Sequence, residues 1–176
     1  MRERTDAALM KAYANGNMEA FESLYNRHRG PLYRYILRQV GDAATANDLY
    51  QGSWEKIIRA RENYRASAPF QAWMYRIAHN HVMDYFRRTR PLTDILPDEI
   101  ESDNPGPDKQ LLDDHRATDL RQAVKQLPAE QKDVLLLKLE AGLDMQTIAE
   151  VTGVNRETAK SRLRYAIGKL KKTLGE

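Results

Sequence analysis

Four of the chain's seven prolines lie in one acidic segment, and this segment limits the possible folds more than any other feature. They are Pro91, Pro97, Pro105 and Pro107. Proline has no amide hydrogen and clashes with the preceding turn of a helix. A charged, proline-rich segment also buries too little apolar surface to offset its ordering entropy. We therefore predict a flexible acidic linker at 91–110, joining a domain at 1–90 to a domain at 111–176.

Both flanking segments carry the 3.6-residue hydrophobic period of helices, and neither shows the two-residue period of a strand. The clearest pattern predicts a helix over residues 70–90. Its predicted buried stripe is Phe70, Trp73, Met74, Ile77, Ala78, His81, Val82 and Tyr85. Its predicted exposed face is Gln71, Tyr75, Arg76, His79, Asn80, Met83, Arg87 and Arg88. The predicted fold class is all-α, with two small helical domains.

Short polar side chains and glycine predict where the other helices begin and end. The predicted N-caps, which can accept a hydrogen bond from the first turn, are Asp6, Asn17, Asp42, Asp144 and Asn155. Gly30 and Pro31 are predicted to end one helix and begin the next, and residues 62–69 are predicted to form a break. The predicted core stripe of the last helix is Ala159, Leu163, Ala166, Ile167, Leu170 and Leu174.

Residues 143–163 predict a helix-turn-helix. A short helix with Ile148 and Ala149 precedes Gly153, and glycine tolerates the positive φ that such a turn often needs. The second helix would enter a DNA major groove by its N-terminal turns, where arginine can pair with guanine and glutamate with cytosine. The side chains on that face are Arg156, Glu157, Lys160, Ser161 and Arg164, followed by Lys169, Lys171 and Lys172 for phosphate contact. The alternative is a helical hairpin with a solvated basic face.

The net charge of +3 hides a segregation along the chain. Residues 1–90 carry 15 basic and 9 acidic side chains, residues 91–115 carry 8 acids and one lysine, and residues 116–176 carry 12 basic and 8 acidic side chains. Such asymmetry suggests a polyanionic partner, although charged helices can simply be solvated.

In the N-terminal domain, Tyr64 and Tyr75 are candidates for stacking on single-stranded bases.

Several function classes are disfavoured. The chain has no cysteine, and its four histidines form no spaced ligand set, so we expect neither a disulfide framework nor a metal site. We find no phosphate-binding glycine loop and no nucleophile elbow, so we expect no catalytic residues and no cofactor. No apolar run is long enough for a membrane span or an export signal. We expect a cytoplasmic protein that is not an enzyme.

Six short motifs occur in order along the chain. They are AFESLY at 20–25, DLYQ at 48–51, FQAWMYRIAHN at 70–80, the LP that opens 127–137, IAE at 148–150 and TAKSRL at 158–163. Each motif is weak alone, but their order and spacing resemble those of extracytoplasmic-function sigma factors. These are the small two-domain members of the sigma-70 family, and the resemblance covers nearly the whole chain.

The resemblance implies a partner for each surface. RNA polymerase core, through its clamp helices, would contact Asp48, Leu49, Gln51, Trp54 and Glu55, and its flap is a further expected contact. The melted promoter -10 strand would contact Asn63, Tyr64, Arg65, Ser67, Tyr75, Arg76, His79, Asn80, Met83, Arg87 and Arg88. The -35 duplex would contact Arg156, Glu157, Thr158, Lys160, Ser161, Arg164, Lys171 and Lys172. An anti-sigma factor is a further expected partner.

Two residues depart from the family pattern. Gly52 stands where an acidic residue is usual, and glycine inside a helix costs about 1 kcal/mol relative to alanine. His79 replaces a more usual arginine.

Two other functions stay open: a helix-turn-helix repressor or activator whose N-terminal helices dimerise or sense a ligand, and a helical interaction protein with no DNA role.

Overall fold

The computed structural model describes residues 4–89 and 111–175, with the side chains of 111–114 excepted. The predicted linker at 91–110 lies outside the described residues. Within them the chain is all-α, with no strand, which confirms the predicted fold class. The helices are α1 (Asp6–Ala14), α2 (Met18–Val40), α3 (Ala43–Arg59), α4 (Phe70–Thr89), α5 (Leu111–Lys125), α6 (Ala129–Leu139), α7 (Met145–Thr152) and α8 (Arg156–Thr173). A single 3₁₀ turn, Arg61–Asn63, lies in the predicted break.

Four of the five predicted N-caps are confirmed. The side chains of Asn17, Asp42, Asp144 and Asn155 each accept a hydrogen bond from the backbone amide three residues later. The prediction for Asp6 is wrong, because Thr5 caps α1. Asp6 instead lies 3.0 Å from Arg27 and 2.9 Å from the buried His28, and so joins α1 to α2.

The predicted break at Gly30 and Pro31 is also wrong, because α2 runs through both residues. Proline disfavours helix in the preceding residue by clashing with its Cβ, and Gly30 has no Cβ. Apolar side chains on both sides of the proline are buried, among them Leu24, Leu32 and Ile36. Tertiary packing of this stripe therefore outweighs the backbone hydrogen bond that Pro31 cannot make.

The helix α6 lies at the centre of the molecule, between α8 on one side and α2 on the other. Six consecutive residues, 132–137, are buried, so the helix is enclosed on all sides. Helix α7 packs against α4, which places the N-terminal helices in direct contact with the C-terminal helices. In α8 the predicted core stripe is wrong at its end, because Ile167 and Leu174 are exposed while Ala159 and Ala166 are fully buried.

Gly52 allows α3 to pack closely on α4. A Cβ at this position would lie 2.5 Å from Nε2 of His81 and 3.2 Å from its Cε1. His81 is half-buried, and its burial, with the nearby Lys56, lowers the pKa of the imidazole. The glycine that departs from the family pattern therefore provides the space that the His81 ring occupies.

We expect Gly52→Ala to show strong coupling to His81. In a His81→Ala background the substitution should stabilise the protein by about 1 kcal/mol, which is the helix-propensity difference. With His81 present, that gain should disappear, because the imidazole must leave its packed position. Urea unfolding of the four proteins of this double-mutant cycle measures the coupling. An equal gain in both backgrounds would contradict a steric role for Gly52.

Candidate nucleic-acid interface

The C-terminal domain contains the predicted helix-turn-helix in full. Helix α7 ends at Gly153, which has a φ of 74°, a left-handed conformation that favours glycine. The carbonyl of Ala149 accepts hydrogen bonds from the amides of Gly153 and Val154, at 2.9 and 3.1 Å. Ile148, Ala149 and Ala159 are buried where the two helices meet. Small side chains at this contact let α7 and α8 approach closely.

The N-terminal half of α8 presents a cationic row to solvent. Arg156, Glu157, Lys160 and Arg164 are exposed, whereas Thr158 and Ser161 are half-buried. Lys169, Lys171 and Lys172 continue the exposed positive charge along the helix. All eight residues predicted to contact a DNA duplex thus lie on α8, and six of them are exposed. Long cationic side chains beside a helix N-terminus match the chemistry of base edges and phosphates in a major groove.

The predicted break between α3 and α4 is a polar loop with one anchored ring. Asn63, Arg65 and Ser67 are exposed. Tyr64 is half-buried, with its ring in edge contact with Phe70 and Trp73 at centroid distances of 5.9 and 5.4 Å. Its hydroxyl donates to the carbonyl of Ala68 at 3.0 Å, and burial raises its pKa. The loop therefore holds a fixed aromatic side chain among exposed polar groups.

Trp73 is an aromatic side chain that sequence reasoning assigned to the core. The structure places it half-buried at the edge of this loop, in contact with Tyr64 and Phe70. The hydrophobic period locates Trp73 on the buried stripe, but it does not reveal that the stripe reaches the surface beside a loop. Trp73 is therefore a further candidate for base stacking.

The predicted exposed face of α4 is only partly exposed. Arg76, Asn80, Arg87 and Arg88 are open to solvent, and Arg87 pairs with Asp84. The predicted exposure is wrong for three residues proposed to contact the -10 strand, on a helix against which α7 packs. They are Tyr75, which is fully buried, His79, whose side chain is 12% exposed, and Met83, which is half-buried.

His79 and Met83 line a cavity of about 240 Å³ together with Asp133 and Arg162. Nδ1 of His79 lies 2.9 Å from Oδ2 of Asp133, a close polar contact that lacks the alignment of a hydrogen bond. His79 therefore contacts the C-terminal domain in this arrangement, and a nucleic acid cannot reach it there.

The predicted polymerase-docking residues divide into two sets on α3. Asp48, Gln51 and Glu55 are exposed and share one face, because they are three and four residues apart. The prediction of direct contact is wrong for Leu49 and Trp54 in this arrangement, since they are 6% and 5% exposed. These two side chains hold the helix in the core and support the acidic face from beneath.

The part of the chain that the structure describes offers no cluster of three or more potential metal ligands among histidine, aspartate and glutamate. None of the helices described over 4–89 and 111–175 is both long and apolar enough to span a bilayer.

Both domains match family models of sigma factors. Residues 24–91 match sigma-70 region 2, and residues 117–170 match sigma-70 region 4. The RNA polymerase sigma factor SigZ of Bacillus subtilis is 30% identical over 153 residues, which cover 87% of this chain and 86% of the relative. The ECF RNA polymerase sigma factor SigL of Mycobacterium tuberculosis is 33% identical over 187 aligned positions, covering 97% of this chain and 92% of the relative.

Solved structures of other proteins share the fold. CnrH, in complex with the cytosolic domain of CnrY, aligns with a TM-score of 0.75 at 22% identity, covering 97% of each chain. The sigma factor RpoE of Bartonella quintana, in complex with the anti-sigma factor NepR, aligns with a TM-score of 0.68 at 19% identity. That alignment covers 88% of this chain and 96% of the other. At these identities the likeness concerns the helical architecture.

Proposed function

The chain belongs to the extracytoplasmic-function group of the sigma-70 family and directs transcription initiation by RNA polymerase, and we propose that its two domains read different forms of promoter DNA. The C-terminal domain reads the -35 element as a duplex, and the N-terminal domain binds the melted -10 strand. The polymerase supplies the chemistry, so the chain itself is no enzyme. It needs neither metal nor cofactor, and it acts in the cytoplasm beside the polymerase.

The single observation that carries the -35 assignment is the solvent-exposed cationic row on α8. Arg156, Lys160 and Arg164 extend from the N-terminal half of the second helix of an intact helix-turn-helix. This half of the helix enters the major groove in such motifs. Lys171 and Lys172, farther along, suit phosphate contact that is independent of base sequence.

The -10 assignment rests on the loop before α4 and the exposed residues along that helix. Asn63, Arg65 and Ser67 supply an amide, a guanidinium and a hydroxyl group, and Tyr64 lies beside them as a fixed ring. Arg76, Asn80, Arg87 and Arg88 continue the polar and cationic surface. An unstacked base needs a shaped site, which a loop can form and a smooth helix face cannot. Stacking on a ring contributes about 1–3 kcal/mol per base.

The polymerase clamp helices dock on the acidic face of α3. Asp48, Gln51 and Glu55 are exposed there, while Leu49 and Trp54 anchor the same helix in the core. Gly52 lies between these residues in the sequence of α3, and the His81 ring occupies the space that its side chain would take. The missing acidic side chain makes space for His81, and the remaining carboxylates and amide supply the polar contact.

A protein inhibitor completes the proposed set of partners. The two solved structures described above were each determined with a second protein, and NepR is named an anti-sigma factor. We infer that an anti-sigma factor binds this chain as well and competes with the polymerase, whose flap is a further contact of the C-terminal domain.

Run-off transcription with purified core polymerase tests the proposal. A sigma factor binds promoter DNA weakly alone and becomes specific on the core enzyme. A repressor or activator would bind a duplex without polymerase, usually at a palindrome as a dimer. Transcription that starts at one site only when this chain is added supports the proposed function, and tight palindromic binding without any transcript contradicts it.

We expect Arg156→Ala and Arg164→Ala to weaken use of a cognate promoter by about 1–3 kcal/mol for each lost base contact. The loss should depend on the bases of the -35 element. Lys172→Ala is the matched control, because loss of a phosphate contact should lower binding evenly across sequences. Normal transcription by both arginine variants at every promoter would show that α8 reads DNA with another face.

We expect Asp48→Arg to reduce binding to core polymerase, because it places a positive charge on the docking face of α3. Glu22→Arg, an equal change of charge at an exposed position of α2, is the control and should bind normally. Affinity for core polymerase can be measured by fluorescence anisotropy. Duplex -35 binding should be unchanged in both variants, and a loss there would indicate misfolding.

We expect Asn80→Ala to slow open-complex formation while -35 binding survives. Asn80 is exposed on α4, one turn beyond Arg76, where the melted strand would pass. Permanganate reactivity of promoter thymines measures opening. A premelted template should restore the rate if Asn80 assists melting, and should leave the defect if it contacts a base. Unchanged thymine reactivity would remove this surface from the mechanism.

A further inference from the structure

The imidazole of His81 lies against the docking helix α3, although His81 belongs to α4. A Cβ on Gly52 would lie 2.5 Å from Nε2 of the ring, 3.2 Å from Cε1 and 3.4 Å from Cδ2, so the ring meets α3 with Nε2 foremost. Residues three and four positions apart are neighbours on a helix surface, and the exposed Asp48 and Glu55 stand in these positions relative to Gly52. The imidazole therefore lies beside the two carboxylates of the acidic face.

The ring nitrogens of His81 are available to a partner molecule. His28 and His79 each place a ring nitrogen 2.9 Å from a carboxylate oxygen. Within the part of the chain that the structure describes, neither nitrogen of His81 makes a hydrogen bond or an ion pair. The residue is half-buried, and its nitrogens are not among the enclosed polar atoms without a partner. Water therefore satisfies the ring in the free chain, and a partner's polar group can take the place of that water.

Burial and the nearby charges keep this ring uncharged at neutral pH. The charged groups around it are Glu55 and Lys56 of α3 and Asp84 and Arg88 of α4. Burial has the largest effect on the pKa of His81 and lowers it, and Lys56 lowers it further, while Asp84 acts in the opposite direction. A neutral imidazole has one nitrogen that donates a hydrogen bond and one that accepts, whereas an imidazolium has two donors and a positive charge.

We propose that the neutral imidazole of His81 is a direct contact of the polymerase clamp, and that core polymerase binds less tightly once this ring is protonated. The inference rests on the proposed docking of the clamp on the acidic face of α3. That face fits a cationic partner surface by charge complementarity. A neutral imidazole beside it can accept a hydrogen bond from an arginine or lysine of the partner, whereas an imidazolium repels the same group. Because the bound state then takes up fewer protons, affinity rises with pH through the pKa of the ring.

Affinity of the full chain for core polymerase, measured by fluorescence anisotropy, tests this contact. His81→Leu keeps a large side chain beside Gly52 and removes both ring nitrogens, so binding at neutral pH should weaken about fivefold, the effect of one lost hydrogen bond. His81→Gln retains a donor and an acceptor without a titrating group, and it should bind within about twofold of the native chain. Circular dichroism shows whether each variant is folded under the conditions of the binding experiment.

The pH dependence of binding separates a docking contact from a structural role. Between about pH 7.5 and about pH 5.5 the native chain should lose about threefold more affinity than His81→Gln, because glutamine cannot take up a proton. His115→Gln is the matched control, since His115 is exposed on α5 in the other domain, and it should keep the native pH dependence. Titration of the polymerase itself is common to all these measurements and cancels in the comparison.

Gly52→Ala tests the same contact from α3, because the added methyl group displaces the ring. It should weaken polymerase binding when His81 is present and should have no effect in a His81→Ala background. Native affinity of His81→Leu, together with native pH dependence in His81→Gln, would overturn the inference. If Asp48→Arg binds weakly in that case, docking on α3 stands and only the His81 contact fails. If Asp48→Arg also binds normally, the proposed docking fails as well.

Discussion

The enclosure of α6 between two domains is the constraint on which the remaining structure depends. A helix with six consecutive buried residues, two of them charged, must be covered on every side and given partners for its charges. The α8 side supplies apolar packing, while α2 and α4 supply Tyr35, Gln39 and His79 for Asp133. The same helix thus forms the core of the C-terminal domain and makes polar contacts with the N-terminal domain. The position of α7 against α4 follows from this shared element.

Local chemistry predicted the fold well where one short-range interaction decides the outcome. Capping at Asn17, Asp42, Asp144 and Asn155 needs only a polar side chain and a nearby amide, so the sequence is sufficient. At Pro31 the local rule failed, because burial on both sides of the proline outweighs a missing hydrogen bond. Helix propensity concerns the residues of one turn, whereas burial of a hydrophobic face stabilises the helix along its whole length.

The candidate DNA surfaces were also predicted less well where tertiary contacts decide which side chains are exposed. Exposure of the cationic residues on α8 was predictable, since one side of that helix faces its own domain and the other faces solvent. On α4 the helical period distinguishes two faces but does not reveal that a second domain covers one of them. His79 therefore looks like a surface residue in sequence and is enclosed in the structure. Tyr75 is buried as well, with its ring in edge contact with Tyr35 of α2. The sequence signal that could have found the interface is the adjacent pair Lys132 and Asp133 before an apolar run.

The contact between Gly52 and His81 has a consequence for the history of these proteins. The two positions share one volume, because the imidazole occupies the space of the absent Cβ. The two positions are therefore coupled: a side chain gained on α3 must displace the imidazole, be matched by a shorter residue on α4, or widen the spacing between the helices. Homologues should therefore show large residues at one position or the other and rarely at both. A docking helix transplanted from a relative would fit this scaffold only if residue 81 were exchanged with it.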